Sequence, residues 1–81
     1  MRVQVRLFAQ ARERVGSGSA ALELPAGSRV SDALAALERV HPALAELGPH
    51  LAVAVDGTLA RAGDPLSDGC ELALLPPVSG G

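Results

Sequence analysis

The sequence predicts one α+β domain in which a single main helix covers one face of a mixed β-sheet. Three observations support this: an N-terminal segment that alternates apolar and polar residues, a central segment with apolar residues at helical spacing, and several short apolar segments after it. The chain has 81 residues, of which 48% are hydrophobic and only Phe8 is aromatic. We therefore expect one modest aliphatic core.

The N-terminal segment predicts two strands. Val3, Val5 and Leu7 alternate with polar residues, which is the period of a strand with one buried face. Residues 9–19 form a connection whose first half can make a helical turn and whose Gly and Ser residues make it flexible. Residues 22–24 predict the returning strand, which Pro25 ends.

The central segment predicts the main helix. Ser28 is a suitable N-cap residue, and Pro42 should end the helix because the residue before a proline disfavours helical backbone. Residues 43–47 can add a short helical turn. The apolar face is predicted to consist of Val30, Ala33, Leu34, Leu37 and Val40.

The C-terminal part predicts three strands, at residues 51–55, 58–60 and 70–75, with a hairpin turn at Asp56-Gly57. The N-terminal strand of the chain and its last strand, at residues 70–75, are both apolar enough to pair in parallel at the centre of the sheet. This order of elements is that of a β-grasp, or ubiquitin-like, roll. Pro76 and Pro77 lack backbone donors, so we predict a domain at 1–75 and an extended tail at 76–81.

Composition excludes several classes of function. The net charge of −2 argues against a nucleic-acid surface, and no apolar run approaches the roughly 20 residues needed to span a membrane. All seven basic residues are arginines, so no lysine is present for Schiff-base chemistry or conjugation. A single cysteine and the lack of a signal-peptide pattern fit a cytoplasmic protein.

The usual catalytic and metal-binding patterns are missing from the sequence. His41 and His50 stand apart from other ligand-type residues, and Cys70 is best explained as a small packing residue. Asp56, Asp64 and Asp68 are explained by the turns that they occupy. We therefore expect no metal, no bound cofactor and no active site within this chain.

The tail is the exception. Gly80 and Gly81 have no Cβ and can pass through a narrow channel, while Pro76 and Pro77 stiffen the base because their φ is fixed. Val78 and Ser79 join the two parts. A frayed terminus without function is the alternative interpretation.

Residues 75–81, Leu-Pro-Pro-Val-Ser-Gly-Gly, resemble the C-terminal motif of the molybdopterin synthase small subunit, the MoaD-type sulfur carrier. Residues 68–74 resemble the stretch before that motif, residues 7–16 the opening strand and turn, and residues 24–34 the start of the helix. Cys70 departs from the acidic residue usual in that family, and Asp56 from a common Asn.

The resemblance implies a reaction at Gly81. A ubiquitin-activating-type (MoeB-type) adenylating enzyme would use ATP to adenylate the terminal carboxylate. A persulfide on another protein would then displace AMP and leave a thiocarboxylate. The tail would enter the large (MoaE-type) subunit of molybdopterin synthase, where sulfur passes to a cyclic pyranopterin phosphate during molybdenum cofactor biosynthesis. Catalytic Lys and Arg residues are expected on the large subunit.

Strand alternation also predicts a docking surface for the large subunit. If Val3, Val5 and Leu7 face the helix, Phe8 and Leu75 point to the other side of the sheet, and Leu59 can join them. We predict that these three residues, here called the docking residues, bind the partner beside the base of the tail.

Three alternatives remain open. A related carrier for thiamine, cysteine or tRNA thiolation would use the same tip. A ubiquitin-like modifier would form isopeptide bonds through Gly81, although without lysine it could not build lysine-linked chains on itself. A plain interaction module would have an inert tail.

Overall fold

The computed structural model describes residues 1–76, apart from the side chain of Pro49. Helix α1 spans Ala9–Val15 and helix α2 spans Val30–Val40, and single 3-10 turns occupy Pro42–Leu44 and Gly48–His50. In the described residues, neither helix is long and apolar enough to cross a membrane. The strands are β1 Arg2–Leu7, β2 Ser19–Glu23, β3 Ala52–Val55, β4 Thr58–Ala60 and β5 Glu71–Leu75.

The five strands form one mixed sheet in the order β2-β1-β5-β3-β4. The central pair, β1 and β5, is parallel, with Leu7 opposite Leu74, and the other neighbours are antiparallel. The predicted parallel pairing of the first and last strands is confirmed. A parallel pair needs a long crossover, and this one is the whole segment between β1 and β5.

The core lies between the sheet and α2. Side chains of β1 alternate between exposed and buried, as predicted, and the other described strands contribute from the same face. The most deeply buried large side chains are Leu37, Leu44, Leu72, Leu74, Val3, Val5 and Val30.

The predicted N-cap of α2 is wrong by one residue. Arg29 is the N-cap, and its backbone N–H donates to the Asp32 carboxylate at 2.8 Å. The Ser28 hydroxyl instead donates to the carbonyl of Pro25 at 2.8 Å, so Ser28 belongs to the preceding turn. Long-range contacts satisfy the next two helix N–H groups: Val30 donates to the carbonyl of Asp64 and Ser31 to that of Ala62.

The predicted apolar face of α2 is also too long. Val40, at the end of the helix, is 66% exposed. Leu44 from the following 3-10 turn is 1% exposed and joins the same core, so it takes the place that Val40 was predicted to fill. Pro42 does end the helix as predicted, with His41 as its C-cap.

The β1–β2 connection is more regular than predicted. The helical turn is a seven-residue helix, α1, which buries Ala11 and ends at Gly16 with φ of +84°. Strand β2 begins at Ser19, three residues earlier than predicted, because it pairs with β1 from Arg6 back to Arg2. Ser19 to Ala21 lack large apolar side chains, so their strand character comes from this backbone pairing.

Candidate functional site

The tail leaves the domain from the middle of one end of the sheet. Strand β5 is central, and Leu75, its last residue, lies opposite Ala52 at the start of β3. The end of the parallel strand β1 and the end of β4 lie on the same side of the molecule. Pro76 is half-buried and starts the predicted tail, whereas Pro77, Val78, Ser79, Gly80 and Gly81 lie outside the described residues.

The sheet face opposite α2, here called the outer face, has an apolar half. In register across three strands, Ala54 of β3 lies opposite both Leu59 of β4 and Ala73 of β5. The next row contains Ala52 and Leu75. The three alanines between the larger side chains were not singled out from the sequence, although the alternation of β3 and β5 could have placed them there.

The structure places all three predicted docking residues on or beside this outer face. Leu59 is 74% exposed and Leu75 is half-buried. Phe8 is 42% exposed and keeps an extended backbone directly after β1, so it points away from the buried Leu7. Strand β3 lies between Leu59 and Leu75, which separates their strands by about 10 Å.

The β1 half of the outer face is polar. Arg2, Gln4 and Arg6 are exposed there, and an Arg6 guanidinium nitrogen lies 3.8 Å from a Glu71 carboxylate oxygen. Both side chains of this pair are about half exposed, so the pair contributes little to stability. The outer face therefore offers a partner an apolar surface bordered by charge.

The other candidate residues from the sequence, one cysteine and two histidines, lie in the core, at a helix end and in a turn. Cys70 is 4% exposed and packs in the hydrophobic core. His41 ends α2, with its backbone N–H donating to the carbonyl of Leu37 at 2.7 Å, and His50 is exposed in a 3-10 turn. Within residues 1–76, no three side chains of the metal-binding types come together.

Comparison with known proteins gives the family. A model of the ThiS family matches residues 5–81, which include the predicted tail and all but the first four residues of the predicted domain. The chain belongs to the ThiS family. The predicted resemblance to MoaD-type sulfur carriers is thereby confirmed, because proteins of that kind are among the relatives of this ThiS-family chain.

Two curated relatives span nearly the whole chain. Small archaeal modifier protein 1 of Haloferax volcanii is 40% identical over 84 residues, covering 94% of this chain and 97% of the relative. The molybdopterin synthase sulfur carrier subunit of Chlamydomonas reinhardtii is 36% identical over 83 residues, covering 100% of both.

Solved structures confirm the predicted ubiquitin-like β-grasp fold. The crystal structure of the Haloferax volcanii modifier has a TM-score of 0.92 and 36% identity, with 100% of both chains covered. A complex of subunits 1 and 2 of the molybdopterin-converting factor of Helicobacter pylori contains a chain with a TM-score of 0.72 and 28% identity, again over 100% of both chains.

Proposed function

We propose that this ThiS-family chain is the sulfur carrier subunit of a molybdopterin synthase and that Gly81 is its reactive residue. One observation carries the proposal: the family match continues through Gly81, and the described domain leads into that tail beside an exposed apolar surface. The carrier delivers sulfur to a cyclic pyranopterin monophosphate during molybdenum cofactor biosynthesis. It works in the cytoplasm, where ATP is available to the adenylating enzyme.

The chemistry of a carboxylate explains why this carrier depends on partners. A carboxylate is a poor electrophile because attack would have to expel an oxide-like leaving group. Adenylation with ATP attaches AMP to the carboxylate, so that AMP becomes the leaving group. A persulfide sulfur of a donor protein can then displace AMP. This displacement forms an acyl disulfide with the donor. A thiol then attacks the donor sulfur of that S–S bond, so that a new disulfide forms on the donor side and a thiocarboxylate is left on Gly81. The covalent attachment keeps the sulfur at high local concentration until it reaches the acceptor.

Partner docking is assigned to the outer face. Phe8, Leu59 and Leu75 lie near the place where the chain leaves the sheet, so a bound large subunit would receive the tail directly beside its contact surface. The Helicobacter pylori complex supports this assignment to a two-subunit enzyme, because a structurally similar chain is there bound to a second subunit. The catalytic side chains then belong to the large subunit.

Intact mass spectrometry tests the carrier role. The chain is incubated with the adenylating enzyme, ATP and a persulfide donor. We expect one oxygen to be replaced by one sulfur, with the change mapped to Gly81 by fragmentation. A parallel reaction without ATP is the control. An unchanged mass with an adenylating enzyme that activates another carrier would contradict the proposal.

The acceptor is tested separately. The thiocarboxylated chain is mixed with the large subunit and cyclic pyranopterin monophosphate, and conversion to the dithiolene product is measured. Failure here after successful thiocarboxylation would favour a carrier for thiamine, cysteine or tRNA thiolation.

The similarity to an archaeal modifier protein gives a second candidate function, attachment of this chain to other proteins through Gly81. Isopeptide-linked peptides that carry the C-terminal Gly-Gly remnant, found in a lysate of the source cells, would support it. Their absence while thiocarboxylate is detected would leave sulfur transfer as the function.

A further inference from the structure

We propose that strand β2, at the edge of the sheet, binds an extended peptide segment of another protein beside a groove between β2 and α2. The segment adds one strand to the sheet, lays apolar side chains over Val40 and places an acidic side chain beside Arg39. The site is separate from Gly81 and from the docking residues, so the proposal does not rest on the proposed function.

The direction of the backbone groups in β2 follows from its pairing with β1. The N–H of Leu24 donates to the carbonyl of Met1 at 2.8 Å, across the end of this antiparallel pair. In an antiparallel ladder, residues that bond to the neighbouring strand alternate with residues whose N–H and C=O face the other way. Ala21 and Glu23, here called the open pair, therefore direct their backbone groups out of the sheet edge.

The fold closes this edge on both sides of the open pair. The Ser17 hydroxyl accepts a hydrogen bond from Ser19 N–H at 3.3 Å and donates to the Ser19 carbonyl at 2.9 Å. Pro25 has no N–H, and its carbonyl accepts from the N–H and the hydroxyl of Ser28. Among residues 1–76, the outward backbone groups of the open pair have no such partner, so they form a short template for one extended strand.

A groove lies beside the open pair on the side of the sheet that α2 covers. Its lining residues are Ala21, Leu22, Glu23, Ala36, Arg39 and Val40. Val40 is 66% exposed and Ala36 is half-buried, so apolar surface is available there. Alternate side chains of an added strand would point into this groove. Valine and isoleucine suit these positions because they favour strands and would cover Val40.

The charge in the groove selects an acidic ligand. Arg39 is exposed, and neither ion pair among residues 1–76 includes it. Glu23 alternates with the buried Leu22, so its side chain points to the outer face and does not neutralise Arg39. A carboxylate on the bound segment would complement Arg39 and contribute mainly to specificity.

A second copy of this chain fits the groove less well than a separate peptide. Its own β2 would present Ala20 and Leu22 on the helix side, and both already pack against its own core. Leu22 is only 9% exposed, which leaves little side chain to cover Val40 of the first copy. A peptide without a core of its own has these side chains free.

The groove and the docking residues can be occupied at the same time. Strands β2 and β4 are the two edges of the sheet, separated by four strand spacings or about 19 Å. A partner bound through Leu59 therefore leaves the β2 edge accessible. Binding at the edge would hold the chain to a further protein without competition at the outer face.

An NMR titration of the isotope-labelled full chain tests the site. The probe is a short blocked peptide in which valine and isoleucine alternate at the centre and aspartates flank them. We expect saturable shifts of the amide signals of the open pair and of the Val40 methyl signals, with the Leu59 signals unchanged. The same peptide with prolines at alternate central positions is the control, because it cannot pair with an edge strand.

Two variants test the edge and the groove separately. Ala21→Pro removes one outward N–H at a position where an edge strand tolerates proline, and Val40→Asp places a charge in the apolar part of the groove. Each should weaken peptide binding on the order of 10-fold, which corresponds to about 1.4 kcal/mol. Leu59→Asp, on the other edge strand, is the matched control and should bind the peptide as the wild type does.

A charge reversal tests the role of Arg39. Arg39→Glu should weaken binding of the aspartate-flanked peptide and strengthen binding of a lysine-flanked one. A general defect in folding would weaken both. Because Val40→Asp and Arg39→Glu both change exposed side chains of α2, they decide the matter even if Ala21→Pro disturbs β2.

Several results would overturn the proposal. These are no saturable shift in the wild type, shifts confined to the outer face, wild-type affinity in both Ala21→Pro and Val40→Asp, or an unchanged peptide preference in Arg39→Glu. A dimer of the chain alone in sedimentation velocity, dissociated by Ala21→Pro, would assign the edge to self-association instead. Thiocarboxylate formation at Gly81 is a separate measurement, and its failure would contradict only the carrier role.

Discussion

Asp56 shows how one side chain can join three strands. It occupies the first position of the β3–β4 turn with φ of +48°, and Gly57 follows with φ of +84°. Its carboxylate accepts a hydrogen bond from Glu71 N–H at 2.9 Å, while its own N–H donates to the Glu71 carbonyl at 2.8 Å. The hairpin turn is thereby attached to the start of the central strand β5.

Replacing Asp56 should separate the two contributions of this residue. Asp56→Ala loses the acceptor and places a residue with low tolerance for positive φ in the turn, so we expect a loss of about 1–2 kcal/mol in the free energy of unfolding. Asp56→Asn keeps an acceptor oxygen and tolerates this backbone, so its stability should stay within about 0.5 kcal/mol of the wild type. Urea unfolding measures both.

The comparison between the two variants is the decisive part. If Asp56→Ala unfolds at the same urea concentration as the wild type, the hydrogen bond to Glu71 contributes nothing and the turn is specified by Gly57 and the flanking strands. If Asp56→Asn is as destabilised as the alanine variant, the negative charge is what matters.

At the scale of single residues, the sequence predicts the hairpin turn but not the N-cap. Asp-Gly favours positive φ locally, so neighbouring residues suffice for the prediction. The N-cap at Arg29 depends instead on a loop distant in sequence, since Arg29 also donates from its side chain to the carbonyl of Gly63 at 2.6 Å. A contact across more than 30 positions leaves no local pattern.

At the scale of elements, the two sides of the sheet differ in what covers them. Helix α2 covers the inner side, and Val30, Ala33 and Leu37 bury their side chains there. On the outer face, Leu59 of β4 is 74% exposed and Ala52 of β3 is exposed, whereas Ala73 and Leu75 of β5 are half-buried and Ala54 of β3 is buried. Under the proposed function, exposed apolar side chains beside the base of the tail favour docking over chance exposure.

Replacing Leu59 tests the outer face. Leu59→Asp should weaken binding of the large subunit by about 2 kcal/mol or more, roughly 30-fold in Kd, with little change in thermal unfolding because the side chain is already 74% exposed. Titration calorimetry provides the affinity. Leu75→Asp should also weaken binding, but Leu75 is half-buried and the stability of that variant needs its own measurement.

Val40→Asp is the matched control for Leu59→Asp. Val40 is 66% exposed, similar in chemistry, and lies on α2 rather than on the outer face. It should leave the affinity unchanged. Equal losses in the two variants would mean that the large subunit does not use the outer face specifically.

Element types follow well from the sequence, and element lengths follow less well. The periods of β1 and α2 are strong because one side of each is almost wholly apolar. The start of β2 depends on its pairing with β1. The end of the apolar face of α2 depends on Leu44, which packs in the core while Val40 is exposed. For the outer face, alternation predicts the direction of Leu59, Leu75 and Phe8, whereas the row of alanines between them emerges only from the strand register.

At the scale of the molecule, stability and reactivity are assigned to different parts of the chain. Among residues 1–76, the buried core residues all precede Leu75 and the last strand ends there. Under the proposed function, we expect sulfur transfer to need residues 77–81 and folding of the sheet to proceed without them.

Removing residues 77–81 should separate these two properties. We expect the free energy of unfolding to change by no more than about 0.5 kcal/mol, which is the usual range for changes outside a core. Thiocarboxylate formation should be abolished, as it should be by deletion of Gly81 alone. Chemical denaturation and intact mass spectrometry give the two readouts. Substantial unfolding of the truncated chain would show that the tail is part of the domain.

The central place of β5 has a consequence for synthesis. Strands β1 and β3 have no direct pairing with each other, because β5 lies between them. A nascent chain cannot complete its sheet until Leu75 has left the ribosome, since domains fold as units and the longest-range contacts close last. A polypeptide released before β5 is complete would lack the strand that joins β1 to β3. Only molecules that extend at least to the start of the tail can therefore complete the fold.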